Sequence, residues 1–168
     1  MRVLGIDCGT EYTGYGVVEQ KSGGALECIT AGAIRLYKQQ SLPVRLAQVF
    51  EELQKLIVST SPDIVAIEEV FYSVNAKSAL KLGQVRGVAM LAASYSSLLV
   101  AEYAPLAIKS AVVGYGRADK IQVQSMVMRL LKLDSPPGPF DASDALAIAI
   151  CHLHTASTLG RYHAIGQG

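Results

Sequence analysis

The sequence contains no tryptophan, no run of 18 uninterrupted apolar residues and only three cysteines. The missing apolar run argues against a membrane span, which needs about 20 such residues. An acid at position 7 leaves no room for the apolar core of a secretory signal peptide. Cys8, Cys28 and Cys151 form no CxxC motif, and an odd number of scattered thiols is typical of a reducing compartment. We therefore expect a cytoplasmic protein with no membrane association.

An excess of charge of either sign is also missing, because 15 basic and 14 acidic residues leave a net charge of +1. The charges are distributed unevenly, since residues 77–120 contain six basic side chains and only two acidic ones. The six are Lys77, Lys81, Arg86, Lys109, Arg117 and Lys120. A solvated surface explains any one of them, whereas the local excess also fits a surface that binds nucleic acid.

A chain of 168 residues is the size of one domain, and its apolar pattern predicts both strands and helices. Three strands joined by short turns come first and indicate an antiparallel meander. The predicted strands cover residues 2–7, 13–20, 26–37, 63–69 and 97–104, and the predicted helices cover 41–60, 76–97, 118–133 and 141–157. This order predicts the α/β class, with a mixed sheet flanked by helices. We assign one domain to residues 1–157 and a loosely ordered tail to residues 158–168.

Polar and small residues add detail to three of the predicted helices. Ser41 is predicted to be the N-cap of the first helix. Gly83 and Gly87, four residues apart in the second, are expected to allow close approach by another backbone or by DNA. His152 and His154 fall on different faces of the last helix and are predicted to face solvent or a partner.

Four acidic positions fall at the ends of strands or at the start of a helix. Asp7 ends the first strand, Glu68 or Glu69 ends the fourth, and Asp141 and Asp144 share one face of the last helix. Asp7 can also be explained as a turn or cap residue and Asp141 as a helix cap, and strand alternation does not choose between Glu68 and Glu69. If the fold brings four acids together, their repulsion favours divalent cations, and Mg²⁺ prefers oxygen ligands of this kind. The chemistry indicated is metal-dependent phosphoryl transfer.

Four blocks of sequence together resemble a known family, the RuvC-type crossover junction endodeoxyribonucleases, which cut four-way (Holliday) DNA junctions. In chain order they are GIDCGTEYTGYGVV, PDIVAIEEVFYSVNAKSALKLGQVRGVA, KSAVVGYGRADKIQVQSMVMRLLKL and DASDALAIAICHLH, and they span nearly the whole chain. The resemblance implies a ribonuclease H-like fold with a five-stranded mixed sheet. It implies a homodimer that acts in homologous recombination and DNA repair and receives junctions from a branch-migration helicase complex. The implied cofactor is Mg²⁺, with Mn²⁺ able to substitute, at two ions per subunit.

The resemblance also assigns roles to individual residues. The family's acidic metal ligands fall on Asp7, Glu68, Asp141 and Asp144. At the ambiguous strand end this favours Glu68, and Lys120 is expected to take part in catalysis with the acids. The residues expected to contact DNA are Phe71, Tyr72, Asn75, Lys77, Lys81, Arg86, Lys109, Arg117 and Lys120. Core packing is the alternative for Phe71 and Tyr72, and the helix at 76–97 is the expected dimer contact.

Three other functions stay open at this level. GIDCGT also resembles the phosphate loop of actin-like ATPases and sugar kinases, although 168 residues are too few for the second domain that encloses ATP in those proteins. A non-catalytic junction-binding module and a ribonuclease H-like nuclease acting on ribosomal RNA precursors are the others. The block VFYSVNAKSALKLGQVRG favours junction DNA over the ribosomal RNA precursors, and a nicking assay with Mg²⁺ distinguishes the enzyme from the binding module.

Overall fold

The fold is described by a computed structural model, which defines residues 1–69 and 76–165 and, of these, the side chains up to residue 158. The strands are β1 (Arg2–Asp7), β2 (Tyr12–Gln20), β3 (Leu26–Arg35), β4 (Ile64–Glu68) and β5 (Val100–Tyr103). The helices are α1 (Leu42–Thr60), α2 (Ala76–Tyr95), α3 (Pro105–Val113), α4 (Lys120–Leu131) and α5 (Phe140–Ile165). No helix in this part of the chain has both the length and the hydropathy needed to span a bilayer.

The strands form one mixed sheet in the order β3-β2-β1-β4-β5. The first three strands are antiparallel neighbours, because short turns connect them. The last two run parallel to β1, since α1 and α2 provide the crossovers that parallel pairing requires. The predicted α/β class, with its antiparallel meander and parallel strands, is therefore confirmed.

Helices cover both faces of the sheet, and the alternation of side chains along each strand divides the core in two. Val3 and Val18 pack against α3, α4 and α5 on one face. Leu4, Ile6 and Val17 pack against α1 and α2 on the other. Burying apolar area on both faces is the main stabilising contribution, at roughly 25 cal/mol for each Å² removed from water. Every second residue of β1 counted from Val3, at positions 3, 5 and 7, therefore faces α5.

Several details differ from the sequence predictions. Helix α3 was not predicted, and α5 continues to Ile165, beyond the predicted start of the tail at residue 158. Ser41 precedes α1 as expected, but its side chain makes no capping hydrogen bond, and Pro43, the second residue of the helix, favours the start there instead. The surface prediction for His152 was wrong, because its ring is buried and Nδ1 lies 2.8 Å from the hydroxyl of Tyr103.

Candidate active site

Asp7 and Glu68 lie side by side at the carboxyl ends of two adjacent parallel strands. The last paired residues of β1 and β4 are Ile6 and Ile67, so the two acids follow this pair directly. Ala66 packs into the core on the α5 side, and Glu68, two residues later, points to the same face. Asp7 lies two residues after Gly5, which also faces α5. The two carboxyl groups therefore face α5 together, from strands about 4.8 Å apart.

Helix α5 lies unusually close to β1 and β2, because glycines leave room for it. A Cβ added to Gly14 would lie 2.0 Å from the carbonyl oxygen of Asp141, and one added to Gly5 would lie 2.0 Å from that of Ala145. Only residues without a side chain permit this approach. The first turns of α5 are thus held over the ends of the strands, where Asp141 and Asp144 are brought towards Asp7.

Lys120 enters the same region from the start of α4, and a capping box fixes that start. The Asp119 side chain accepts a 2.8 Å hydrogen bond from the Gln122 amide, and the Gln122 side chain accepts a 2.9 Å bond from the Asp119 amide. Lys120 is the first residue of the helix, and its Nζ donates to Oδ2 of Asp144 at 3.3 Å. The cap therefore positions a cation beside the acids.

A cleft of about 320 Å³ opens at this point of the fold. Its charged lining residues are Asp7, Glu68, Asp144, Lys109 and Lys120. Its apolar wall includes Pro105 and Ile108 of α3, the helix that the sequence did not reveal. Asp141 does not line the cleft, although it lies close enough to raise the pKa of Asp7 by its charge. The structure thus brings three of the four predicted acids and two of the predicted cations into one cleft.

The electrostatics of the cleft are dominated by burial and by like charges. Burial, followed by the charges of Asp144, Glu68 and Asp141, raises the pKa of Asp7 to about 7. Burial also raises the pKa of Glu68 and of Asp144, whereas Lys120 opposes both shifts. In return, Asp144 is the main cause of a raised pKa at Lys120. The cluster therefore disfavours its own full ionisation, which a divalent cation would relieve.

The donor chemistry of the cleft fits a hard cation. Its acidic side chains offer carboxylate oxygens, as Mg²⁺ prefers. Within residues 1–69 and 76–165, no three Asp, Glu, His or Cys side chains are grouped tightly enough to hold a metal ion without moving. Binding by Asp7, Glu68 and Asp144 together would therefore require side-chain rotations, which carboxylates at the ends of strands and helices can make.

The remaining predicted residues lie at three places. Arg117 is exposed in the segment before α4, and Lys77 and Lys81 are exposed on α2. Arg86 of α2 points inward, where its Nε donates to the carbonyl oxygen of Glu68 at 3.2 Å. Phe71, Tyr72 and Asn75 lie outside the described residues.

Sequence reasoning missed the apolar residues that line the cleft, and two of them, Pro105 and Ile108, belong to α3. Their segment is apolar on most sides, so it shows no clear helical period. Two local signals mark this helix: Pro105 at its first position and Gly114, with φ of 93°, immediately after its end.

Solved structures with this architecture show which class of protein the fold and the cleft define. The structure is similar to that of Thermus thermophilus RuvC in complex with a Holliday junction substrate, with a TM-score of 0.86 and 28% identity, covering 94% of this chain and 96% of that one. The yeast mitochondrial Holliday junction resolvase Ydc2 shares the fold, with a TM-score of 0.71 at 15% identity, covering 97% of this chain and 82% of that one. The protein is a nuclease with a ribonuclease H-like fold.

Sequence comparison defines the family. Residues 3–152 match the family model described as crossover junction endodeoxyribonuclease RuvC. The chain therefore belongs to the RuvC family of crossover junction endodeoxyribonucleases. The RuvC protein of Koribacter versatilis is 62% identical over 164 residues, covering 98% of this chain and 99% of the relative. That of Acidobacterium capsulatum is 59% identical over 165 residues, covering 95% of this chain and 96% of the relative.

Proposed function

We propose that this protein resolves four-way DNA junctions during homologous recombination and DNA repair. It makes paired, symmetric nicks in strands of like polarity and leaves 5′-phosphate and 3′-hydroxyl ends. The observation that carries the proposal is the cleft in which Asp7, Glu68 and Asp144 lie with two lysines. Family membership and the likeness to a RuvC bound to a Holliday junction substrate support the choice of DNA. The proposed location of this activity is the cytoplasm.

Asp7, Glu68, Asp141 and Asp144 are the proposed metal ligands, and Mg²⁺ is the proposed metal, with Mn²⁺ able to replace it. When bound, two such ions would supply an activated water and stabilise the leaving 3′ oxygen of the scissile phosphodiester. The support is the carboxylate lining and the raised pKa of Asp7, about 7, which reflects burial and crowding by like charge. The proposed role of each acid is to offer carboxylate oxygens to the metal ions.

The lysines of the cleft complete the site around the scissile phosphate. Lys109 is half-buried in the wall, and the Lys120 side chain is 71% exposed while bonded to Asp144. An ammonium in this position attracts a phosphate and opposes the charge that develops in the transition state. We therefore assign phosphate contact to Lys109 and both contact and charge stabilisation to Lys120.

The proposed DNA surface extends from the cleft along both flanking elements. Arg117 lies beside Lys120, and Lys77 and Lys81 lie on the exposed side of α2. Phe71, Tyr72 and Asn75 keep their predicted role as contacts near the crossover, where an aromatic ring would stack on an unpaired base. With four of the 14 acids engaged by metal, 15 basic side chains face 10 remaining acids, so junction affinity should fall with salt.

A homodimer is proposed because paired nicks need two sites, and α2 offers the contact surface. Leu80, Leu91 and Tyr95 on this helix are 71%, 57% and 75% exposed. A Cβ added to Gly83 or Gly87 would meet nothing within 4 Å, so another backbone could approach closely there. Self-association through one such patch gives two-fold symmetry, matching two symmetric cuts. A branch-migration helicase complex is the proposed source of the junction.

The proposal is tested with a synthetic immobile junction and a linear duplex of the same sequence, each incubated with the protein and Mg²⁺. We expect paired nicks at symmetric positions in the junction only, with ends that DNA ligase reseals. An Asp7→Asn variant controls for contaminating nucleases. Equal cutting of the duplex, or binding of the junction without any nick, would show that the protein is a different kind of nuclease or a binding module.

A further inference from the structure

The side chain of the basic residue Arg86 points towards the backbone of Glu68 rather than towards solvent. It lies on α2, and its side chain is 18% exposed. Nε donates to the carbonyl oxygen of Glu68 at 3.2 Å. A terminal nitrogen of the same guanidinium forms an ion pair with Glu102 of β5. One side chain therefore connects α2, the end of β4 and β5.

The contact falls on the β1 side of the Glu68 backbone, where the ladder has ended, whereas Glu68 still pairs with Tyr103 of β5 on the other side. Pairing between β1 and β4 ends at Ile6 and Ile67, so the ladder does not include Glu68 on that side. On the other side, the Glu69 amide donates to the carbonyl oxygen of Tyr103 at 2.9 Å. A carbonyl oxygen that is shielded from water and has no hydrogen-bond partner destabilises the backbone that carries it. Arg86 supplies that partner and holds the strand end from which the Glu68 carboxyl group projects.

The guanidinium is suited to this position and poorly suited to binding phosphate from it. Its planar fork can donate to a carbonyl oxygen and to a carboxylate at the same time, which a lysine ammonium on a flexible stem does not do in the same geometry. Glu102 orients the fork and offsets its charge. An arginine so engaged has to break two interactions before it can bind a DNA phosphate.

We propose that Arg86 is a positioning residue of the active site, which fixes the backbone of Glu68 and is itself oriented by Glu102. The inference rests on the proposed nuclease function and replaces the DNA contact that the sequence predicted for Arg86. It also gives α2 a second role. The outer face of this helix carries the proposed dimer contact, and its inner face holds a catalytic strand, so dimerisation and alignment of Glu68 share one rigid element.

The test compares Arg86→Lys, Arg86→Gln and Glu102→Gln with Lys55→Gln, a control that removes an exposed cation paired with Glu52 on α1, outside the cleft. Three quantities are measured for each: junction affinity as a function of salt, the single-turnover cleavage rate at saturating protein, and the Mg²⁺ concentration for half-maximal rate. Hydrogen exchange of the Glu69 amide reports the strand end without reference to activity. Thermal unfolding identifies any variant that does not fold.

For a positioning role, both Arg86 variants keep the wild-type affinity and its salt dependence. They lose about tenfold or more in single-turnover rate, need more Mg²⁺, and exchange the Glu69 amide faster. Glu102→Gln shows a smaller loss of the same kind. Lys55→Gln keeps the wild-type affinity, salt dependence and cleavage rate.

A DNA contact predicts different results. Arg86→Lys would then behave like wild type, Arg86→Gln would weaken binding and reduce its salt dependence, and Glu102→Gln would tighten binding by releasing the arginine. Any of these results, or no change in cleavage rate, overturns the inference. If Arg86→Gln does not fold, the results for Arg86→Lys and Glu102→Gln test the inference instead. Failure of the nuclease proposal is separate, because it would appear as a wild-type protein that does not cut the junction.

Discussion

Lys120 donates from Nζ to Oδ2 of Asp144 at 3.3 Å, and this bond joins the first residue of α4 to the second turn of α5. The lysine side chain is 71% exposed and the aspartate side chain 24% exposed. The pair therefore has an outer cationic part, accessible to a DNA phosphate, and an inner anionic part that belongs to the acidic cluster. Lys120 opposes the upward pKa shift at Asp144, so the pair also keeps that acid more readily ionised.

Replacing Lys120 with Met should slow cleavage at saturating protein by on the order of 100-fold, because a charge that stabilises the transition state is lost. The pKa of Asp144 should rise as well, which moves the acidic limb of the pH–rate profile to higher pH. Lys55→Met is the control, since Lys55 pairs with Glu52 on α1, outside the cleft. A pH–rate profile identical to wild type would contradict the role of the pair.

Replacing Asp7 with Asn should abolish Mg²⁺-dependent cleavage while junction binding is kept, because a proposed metal ligand is lost and the basic surface is unchanged. Binding is measured by gel shift without Mg²⁺ and cleavage with it. We expect equal or tighter binding, since repulsion of phosphate by the cluster is reduced. Cleavage at the wild-type rate would remove Asp7 from the mechanism.

The stability of the protein in EDTA should fall as pH rises from about 4 to about 7. In this window folded Asp7, with a pKa of about 7, holds a proton that the unfolded chain, with a value of 3.8, has released. A tenfold change in a protonation equilibrium corresponds to about 1.4 kcal/mol, so at pH 8 Asp7→Asn should be more stable than wild type by on the order of 2 to 4 kcal/mol. Urea unfolding at pH 5 and pH 8 measures this difference. If Asp7→Asn exceeds wild type in stability by no more at pH 8 than at pH 5, the pKa of Asp7 is not raised.

Gly14→Ala should reduce both stability and cleavage, because the added Cβ would lie 2.0 Å from the carbonyl oxygen of Asp141. Overpacking of this kind costs about 1 to 3 kcal/mol, and displacement of α5 moves Asp141 and Asp144 away from the strands. Gly83→Ala is the stability control when it is measured on the monomer at low protein concentration, since an added Cβ meets nothing within 4 Å there, and it should gain about 0.5 to 1 kcal/mol. Chemical denaturation and single-turnover cleavage measure the two effects. A Gly14→Ala protein with wild-type values would show that α5 does not need this close approach.

Leu91→Lys should weaken the proposed dimer by about tenfold or more, because it places a charge on the exposed face of α2. The matched control is Val58→Lys on α1, where the side chain is 77% exposed. Light scattering across a concentration series gives the dissociation constant. Equal dimer stability in both variants would exclude α2 as the contact.

Sequence patterns predicted the charged residues of the site better than they predicted how those residues are arranged in space. Strand ends marked Asp7, and the i, i+3 spacing placed Asp141 and Asp144 on one face. Strand alternation alone left Glu68 and Glu69 open, and only the resemblance favoured Glu68. A physical choice needs the register of β4 and the side of the sheet on which Ala66 is buried, and neither is local information. The inward direction of Arg86 was missed for the same reason, because its partners are a distant carbonyl group and Glu102.

The central claim is that Asp7, Glu68, Asp141 and Asp144 form a binding site for divalent metal ions. Crystals grown with Mn²⁺ test it most directly, through the anomalous scattering of the ion. We expect a peak within coordination distance of Asp7 and Glu68 in the wild-type protein, with Asp144 or Asp141 contributing further oxygens, and a weaker peak or none in Asp7→Asn. A protein that cleaves junctions with Mn²⁺ yet shows no peak at these carboxylates would contradict the claim.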